Sequence, residues 1–289
     1  MLESGLYLNI ENAFFATDSW SRMPTLAICM DPHAFIAEVY RRMSLRHRAE
    51  RREPTYAEIR EDRRVLQAAY EYAALLPEDK AAPILDIGFG RGWFIAACLN
   101  LGYTNISGAD FGIPNKTYVQ SWQRDFITLH EITDDIGNFL STRPEQYAFI
   151  HMSHVIEHIP KYSLLWVVDN LYRSLKVGGT LCLRTPNMEG PTANSSFYVT
   201  LAHEYGFSGS NLTSLLDICG FDDVRFHPVR TSRPSLKQRS GELIRQFFLL
   251  ESRIRHRMFG VNLGGQFGSE LFVTAKRGSW PPFFDPKYR

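Results

Sequence analysis

The five residues His154-Val155-Ile156-Glu157-His158 set two imidazoles around a carboxylate, groups that exchange protons near neutral pH and ligate metal ions. On a helix, the spacing H-x-x-E-H would be an inverted zinc-protease motif. Here the apolar run Tyr147–Met152 leads directly into it and Pro160 follows two residues later. The segment therefore reads as a strand-to-loop crossing, and the protease reading is set aside. A second chemical feature precedes it in Ile84-Leu85-Asp86-Ile87-Gly88-Phe89-Gly90-Arg91-Gly92, an apolar strand running into glycines at alternate positions. Without Cβ atoms, such a turn lets a nucleoside-bearing ligand lie against the main chain. Asp110, about twenty residues on, is placed to accept the hydroxyls of a ribose. A dinucleotide-binding loop would put its third glycine where Trp93 stands, which counts against hydride transfer.

These residues need a scaffold, and the hydrophobic pattern supplies one. Ile59, Leu66, Tyr70, Ala73 and Leu76 recur at helical steps, and Pro77 closes that helix. Short apolar strands are expected at Pro83–Ile87, Asn105–Ala109, Phe126–His130, Tyr147–Met152 and Thr180–Arg184. Between them lie helices at Trp93–Leu101 and around Leu164, Val168, Leu171 and Leu175, the latter closed by Gly178 and Gly179. A loop over 187–210 leads to a helix Leu212–Cys219 and a strand Val224–Pro228. Leu236, Leu243, Phe247, Leu250, Ile254 and Met258 then share a helical face, and Glu270–Ala275 is the final strand. Alternation of this kind implies an α/β fold with a doubly wound, mostly parallel sheet. Residues 1–55 read as an N-terminal extension, 56–289 as the main domain, and 230–265 as a helical lid or surface insertion before the last strand.

Composition narrows the function classes. In 289 residues, 44% are hydrophobic and 22% charged, as in a globular protein rather than a disordered one. The net charge of +1 gives no overall field for nucleic acid, so a nucleic-acid partner is not expected. The four cysteines are far apart with no C-x-x-C pair, which fits a reduced, cytoplasmic setting. No stretch approaches the ~20 apolar residues of a membrane span.

Three segments together resemble the class I S-adenosylmethionine-dependent methyltransferases: ILDIGFGRGWF at 84–94, HMSHVIEHIP at 151–160, and LYRSLKVGGTLCLR at 171–184. The resemblance implies a seven-stranded Rossmann-like sheet whose last strand, here Glu270–Ala275, runs antiparallel beside the fifth. It also implies S-adenosylmethionine as cofactor. Gly88, Gly90, Arg91 and Gly92 would line its methionine part, with Asp86 bracing the loop or reaching the amino group, Asp110 on the ribose, and Asp134 or Asp135 on the adenine amino group. Ubiquinone-biosynthesis and small-RNA methyltransferases carry an E-x-x-E-H segment that can bind a divalent metal with a downstream histidine. The equivalents here are His154, Glu157, His158 and His203, a set suited to a borderline ion. The segment around His203 is similar to one in methyltransferases of polysaccharide gene clusters. His158 and His154 could instead act as general bases, with Glu157 beside them, which tilts the expected chemistry towards O-methylation of a sugar hydroxyl in a nucleotide sugar, glycan or glycolipid. A small aromatic or lipid acceptor and an RNA acceptor are the alternatives.

Between Arg230 and Arg257 stand eight Lys and Arg against two Glu, a local net of +6. Such a stretch could meet a phosphorylated acceptor, contact an anionic membrane, or form a solvated helix face.

Overall fold

The computed structural model describes residues 53–111, 118–122, 125–229, 268–279 and 281–284, with scattered helical positions between 244 and 258. The extension up to residue 52, with its basic stretch Arg41–Arg52, and most of the insertion 230–265 lie outside the described residues.

Seven strands form one sheet in the order β3-β2-β1-β4-β5-β7-β6. They are β1 Ile84–Ile87, β2 Ile106–Asp110, β3 Ile127–Glu131, β4 Tyr147–Ser153, β5 Leu175–Pro186, β6 Phe221–Phe226 and β7 Glu270–Arg277. β1 to β5 pair in parallel, and β7 runs antiparallel between β5 and β6. Every residue of β1 is buried, as a central parallel strand covered on both faces requires. The chain leaves β1 for β2 on one side and comes back to β4 on the other, so the carboxyl ends of β1 and β4 open a crevice where ligands of such sheets bind.

Helices cover both faces. On one face α1 Tyr56–Ile59, α2 Arg63–Tyr72 and α3 Trp93–Asn100 pack with Ile84, Ile106 and Phe149. On the other, α5 Ile136–Ser141, α6 Leu164–Ser174 and α8 Gly209–Ile218 enclose Leu85, Ile150 and Leu183. The short α4 Tyr118–Ser121 follows β2, and α7 Ala193–Phe197 interrupts the loop expected over 187–210.

Three elements differ from the sequence pattern. The helix expected over 56–76 is broken after Ile59, because Asp62 caps α2: its carboxylate accepts from the Arg64 amide at 2.8 Å and pairs with the Arg64 guanidinium at 2.6 Å. That restart rotates the buried face to Ile59, Val65, Tyr72 and Leu76, leaving Leu66 and Tyr70 half exposed. α6 stops at Ser174 rather than at the glycines, because Leu175 is already extended and pairs with Tyr147. Gly178, at φ +75°, sits within β5 where the register shifts. β6 begins at buried Phe221 rather than Val224.

Candidate active site

The glycine loop leaves β1 with Gly88, Gly90 and Gly92 at φ +71°, +53° and +76°, backbone that side chains rarely tolerate. The three glycines do different things. A Cβ on Gly88 would lie 2.3 Å from Val155 Cγ2, so this glycine lets the loop touch the turn after β4. A Cβ on Gly90 would meet nothing nearer than the Gly88 carbonyl at 3.9 Å. Gly90 borders an open cavity of about 710 Å³, whose walls include Asp86, Gly88, Arg91, Phe94, His151 and His154. The Gly90 amide donates to Asp110 at 2.8 Å, tying the acid at the end of β2 to the loop.

Beneath the loop lies a buried chain of polar groups. His151, in β4, joins Asp86 through Nδ1 at 2.7 Å and the Tyr72 hydroxyl through Nε2 at 3.0 Å. Its ring stacks on Phe94 with centroids 3.8 Å apart. With Nδ1–H donating to the carboxylate, the lone pair on Nε2 accepts the Tyr72 hydroxyl, so one neutral imidazole satisfies both neighbours. Burial pushes the Asp86 carboxyl up, and the His151 contact opposes that rise. Replacing His151 by Phe keeps a ring on Phe94 but strands both partners. We expect a loss of about 3–5 kcal/mol in denaturant unfolding, the scale for a buried charge losing its partner. A loss below about 1 kcal/mol would show that Asp86 is satisfied without it.

The strand β4 ends in a strained turn. His154 has φ +55°, a conformation that costs a non-glycine residue about 1–3 kcal/mol, and one 3₁₀ turn, Ile156–His158, follows. The His154 ring reaches Glu157 through Nδ1 and Glu270 through Nε2, each at 3.3 Å. Desolvation alone would lower its pKa, but the hydrogen bonds it donates to the two carboxylates outweigh it and raise the group to about 9. Both ring nitrogens of His154 thus face carboxylates, an arrangement that favours the protonated imidazole. Glu270, in turn, is held down at about 2: burial pushes it up, but hydrogen bonding from His154 and the charge of Arg184 outweigh that. Arg184 binds Glu270 at 2.5 Å and Glu71 at 2.9 Å, joining β5, β7 and α2.

Glu157, His158 and His203 come together one turn further on. One ligand atom of each lies within 4.8 Å of the others. The buried Glu157 carboxylate accepts from Thr185 Oγ1 at 3.0 Å. His158 Nδ1 bonds the Ala202 carbonyl at 2.8 Å, and His203 Nδ1 bonds the Phe197 carbonyl at 2.7 Å. A ring nitrogen facing a carbonyl must carry the proton, so both lone pairs are on Nε2. Burial lowers the His158 pKa below the ordinary value.

The third strand places its acids differently from expectation. Asp135 caps α5, accepting from the Gly137 amide at 2.6 Å and the Asn138 amide at 3.2 Å, and Asp134 accepts from the Asn138 side chain at 2.9 Å. Both are engaged at the helix start. The acid beside Asp110 is Glu131, its register partner at the carboxyl end of β3. Glu131 directly follows the strand expected to end at His130, and the structure extends β3 by that residue.

Comparison with known proteins agrees with this architecture. A methyltransferase of Archaeoglobus fulgidus described as S-adenosylmethionine dependent superposes with a TM-score of 0.51 at 19% identity, over 75% of this chain and 96% of its own. A Haloferax volcanii methyltransferase in complex with the Trm112 activator gives 0.52 at 14%, over 75% and 91%. Haemonchus contortus phosphoethanolamine N-methyltransferase 2 in complex with S-adenosyl-L-methionine gives 0.50 at 16%, over 74% and 53%. At such identities the likeness is one of fold. No curated protein matches the chain. Residues 56–225, which contain the glycine loop and the acid of β2, match the family model described as methyltransferase domain, and the chain belongs to the methyltransferase domain family.

Proposed function

We propose that this is an S-adenosylmethionine-dependent O-methyltransferase acting on a sugar hydroxyl in a nucleotide sugar, glycan or glycolipid. The open Cβ position of Gly90 above a cavity supports the cofactor. Gly88, Gly90, Arg91 and Gly92 would hold its methionine part above Asp86, with Asp110 on the ribose and Glu131, rather than Asp134 or Asp135, on the adenine side. When bound, the cofactor supplies a methyl group already activated on a sulfonium. The chain's own task is to align the acceptor and remove its proton.

The observation that carries the oxygen acceptor is His158. Its Nδ1–H is anchored on Ala202, its lone pair is on Nε2, and its lowered pKa keeps it neutral at pH 7. An amine could react through its own lone pair, whereas a hydroxyl benefits from such a base. Arg63, on the cavity wall, suits an anionic acceptor such as a sugar phosphate. The sugar itself rests on the likeness of the segment around His203 to polysaccharide methyltransferases.

A second reading follows from the approach of Glu157, His158 and His203. Two imidazoles and one carboxylate suit a borderline divalent ion, which would lower the pKa of a bound hydroxyl. His154 falls outside this set because both its nitrogens face carboxylates.

Transfer of labelled methyl groups to a panel of nucleotide sugars, glycolipids, catechols and RNA tests the acceptor. Labelling of only catechols or RNA would overturn the sugar assignment. Elemental analysis and chelation divide the two readings. Full turnover in metal-free protein supports the base, whereas activity lost on chelation and restored by a divalent ion supports the metal.

A further inference from the structure

The side chains of the loop after α7 take no part in the chemistry above, yet its backbone holds both imidazoles. His203 Nδ1 donates to the Phe197 carbonyl at 2.7 Å and His158 Nδ1 to the Ala202 carbonyl at 2.8 Å, so the two carbonyls that fix the rings bracket residues 198–201. The His158 and His203 rings lie 4.6 Å apart, and the Phe197 ring lies 5.6 Å from His203. What the bracketed loop presents is apolar. Tyr198 is 78%, Val199 74% and Leu201 85% exposed, three large hydrophobic side chains among four residues. Thr200, between them, accepts the Ala202 amide on its hydroxyl at 3.2 Å.

Single exposed apolar residues need no explanation, but a cluster of them marks a contact surface. Charge and place select what covers this one. Residues 190–203 contain no Asp, Glu, Lys or Arg, so the stretch brings no cation to a phosphate, a nucleic-acid backbone or an anionic headgroup. A folded partner seated on the loop would crowd the rings that the acceptor must reach. The acceptor itself can cover the loop. The part that does so is hydrocarbon, because the side chains of Val199 and Leu201 have no polar group to offer and gain only by leaving water.

We propose that residues 198–201 bind a hydrocarbon portion of the acceptor, which makes the substrate amphiphilic: a polar end whose hydroxyl meets His158, and an alkyl chain that lies on Val199 and Leu201. The inference rests on the sugar O-methyltransferase reading for the identity of the polar end, and it selects the glycolipid over the nucleotide sugar. Recognition is then coupled to chemistry. A chain that orders the loop also steadies the two carbonyls on which both imidazole tautomers depend.

Matched methyl and octyl glycosides of glucose, galactose and mannose, the octyl compounds below their micelle concentrations, test the loop by calorimetry and by transfer of labelled methyl groups. Each buried methylene is worth about fourfold in affinity, so two of them give an octyl glycoside an advantage of about tenfold or more over its methyl partner. Val199→Ser/Leu201→Ser should abolish that advantage while leaving the carbonyls of Phe197 and Ala202 in place. Unchanged thermal unfolding and S-adenosylmethionine affinity would show that the variant is intact. Failure of every octyl glycoside to bind the wild type overturns the proposal, as does equal binding within each pair. An advantage that survives in the variant overturns it too, because the chain would then lie elsewhere. The two readings fail separately. Labelling of alkylated catechols in place of sugars, lost in the variant, would overturn the sugar and uphold the loop, whereas labelling of sugars regardless of chain would uphold the sugar and overturn the loop.

Discussion

Replacing His158 by alanine is expected to lower kcat by about 10²–10⁴-fold, the range for losing a positioned general base, and to leave S-adenosylmethionine affinity nearly unchanged. The expectation follows from how the ring is held. The Nδ1–H bond to Ala202 fixes the tautomer, and burial holds the imidazole below its ordinary pKa of 6.5. The wild-type rate should therefore rise with pH through a value below 6.5 and be level near neutrality, and the alanine variant should lose that acid limb. His154→Gln should keep the limb, because His154 titrates at about 9 rather than in this range. The ion pairs of His154 work in the opposite sense: its folded pKa is raised, so their stabilisation is complete below pH 6.5 and fades as pH climbs through about 9. A His158→Ala enzyme with full turnover in metal-free buffer would leave positioning as the only source of catalysis, and the case for an oxygen acceptor would go with it.

What the sequence reveals about this site is what is local in the chain. The glycines, Asp86 and the strand feeding them lie within nine residues, so their role can be read without knowing the fold. The partners of Asp86 cannot be read that way. His151 reaches it across 65 residues and Tyr72 reaches His151 across 79, contacts that exist only because β1 and β4 are neighbours in the sheet. The cluster of four ligating residues expected around His158 divides for a similar reason. His158 and His203 meet because the chain returns past Glu157, whose carbonyl accepts the amides of Glu204 and Tyr205. His154 is drawn away by Glu270, which belongs to the distant β7. Asp134 and Asp135 show the reverse case: the cap that Asp135 makes at the start of α5 and a ligand contact both use an acid after a strand, so the local sequence does not separate the two.

The glycines offer the other large effect, since two of them, both at positive φ, should fail in opposite ways. At Gly90, alanine adds a methyl group that meets no protein atom nearer than 3.9 Å. The unliganded fold should lose only the left-handed penalty, about 1–2 kcal/mol. The methyl then stands at the edge of the cavity where the cofactor must lie, and overpacking there should weaken S-adenosylmethionine binding by about 10–10²-fold. At Gly88, the methyl falls 2.3 Å from Val155 Cγ2, a β-branched neighbour that cannot swing aside. The strain of about 1–3 kcal/mol for an overpacked contact adds to the backbone penalty, so Gly88→Ala should be the less stable of the two before any ligand is added. Because Val155 precedes the turn carrying Glu157 and His158, kcat should fall with it. The nearest atom once Cγ2 is gone is Val155 Cβ at 3.6 Å, an ordinary contact, so adding Val155→Ala should restore part of the lost stability in Gly88→Ala and none of the lost affinity in Gly90→Ala. Calorimetry of the four variants would decide it: equal affinity losses at both glycines with no rescue by Val155→Ala would mean that the loop holds the cofactor as one unit and that the contact with the turn after β4 carries no weight.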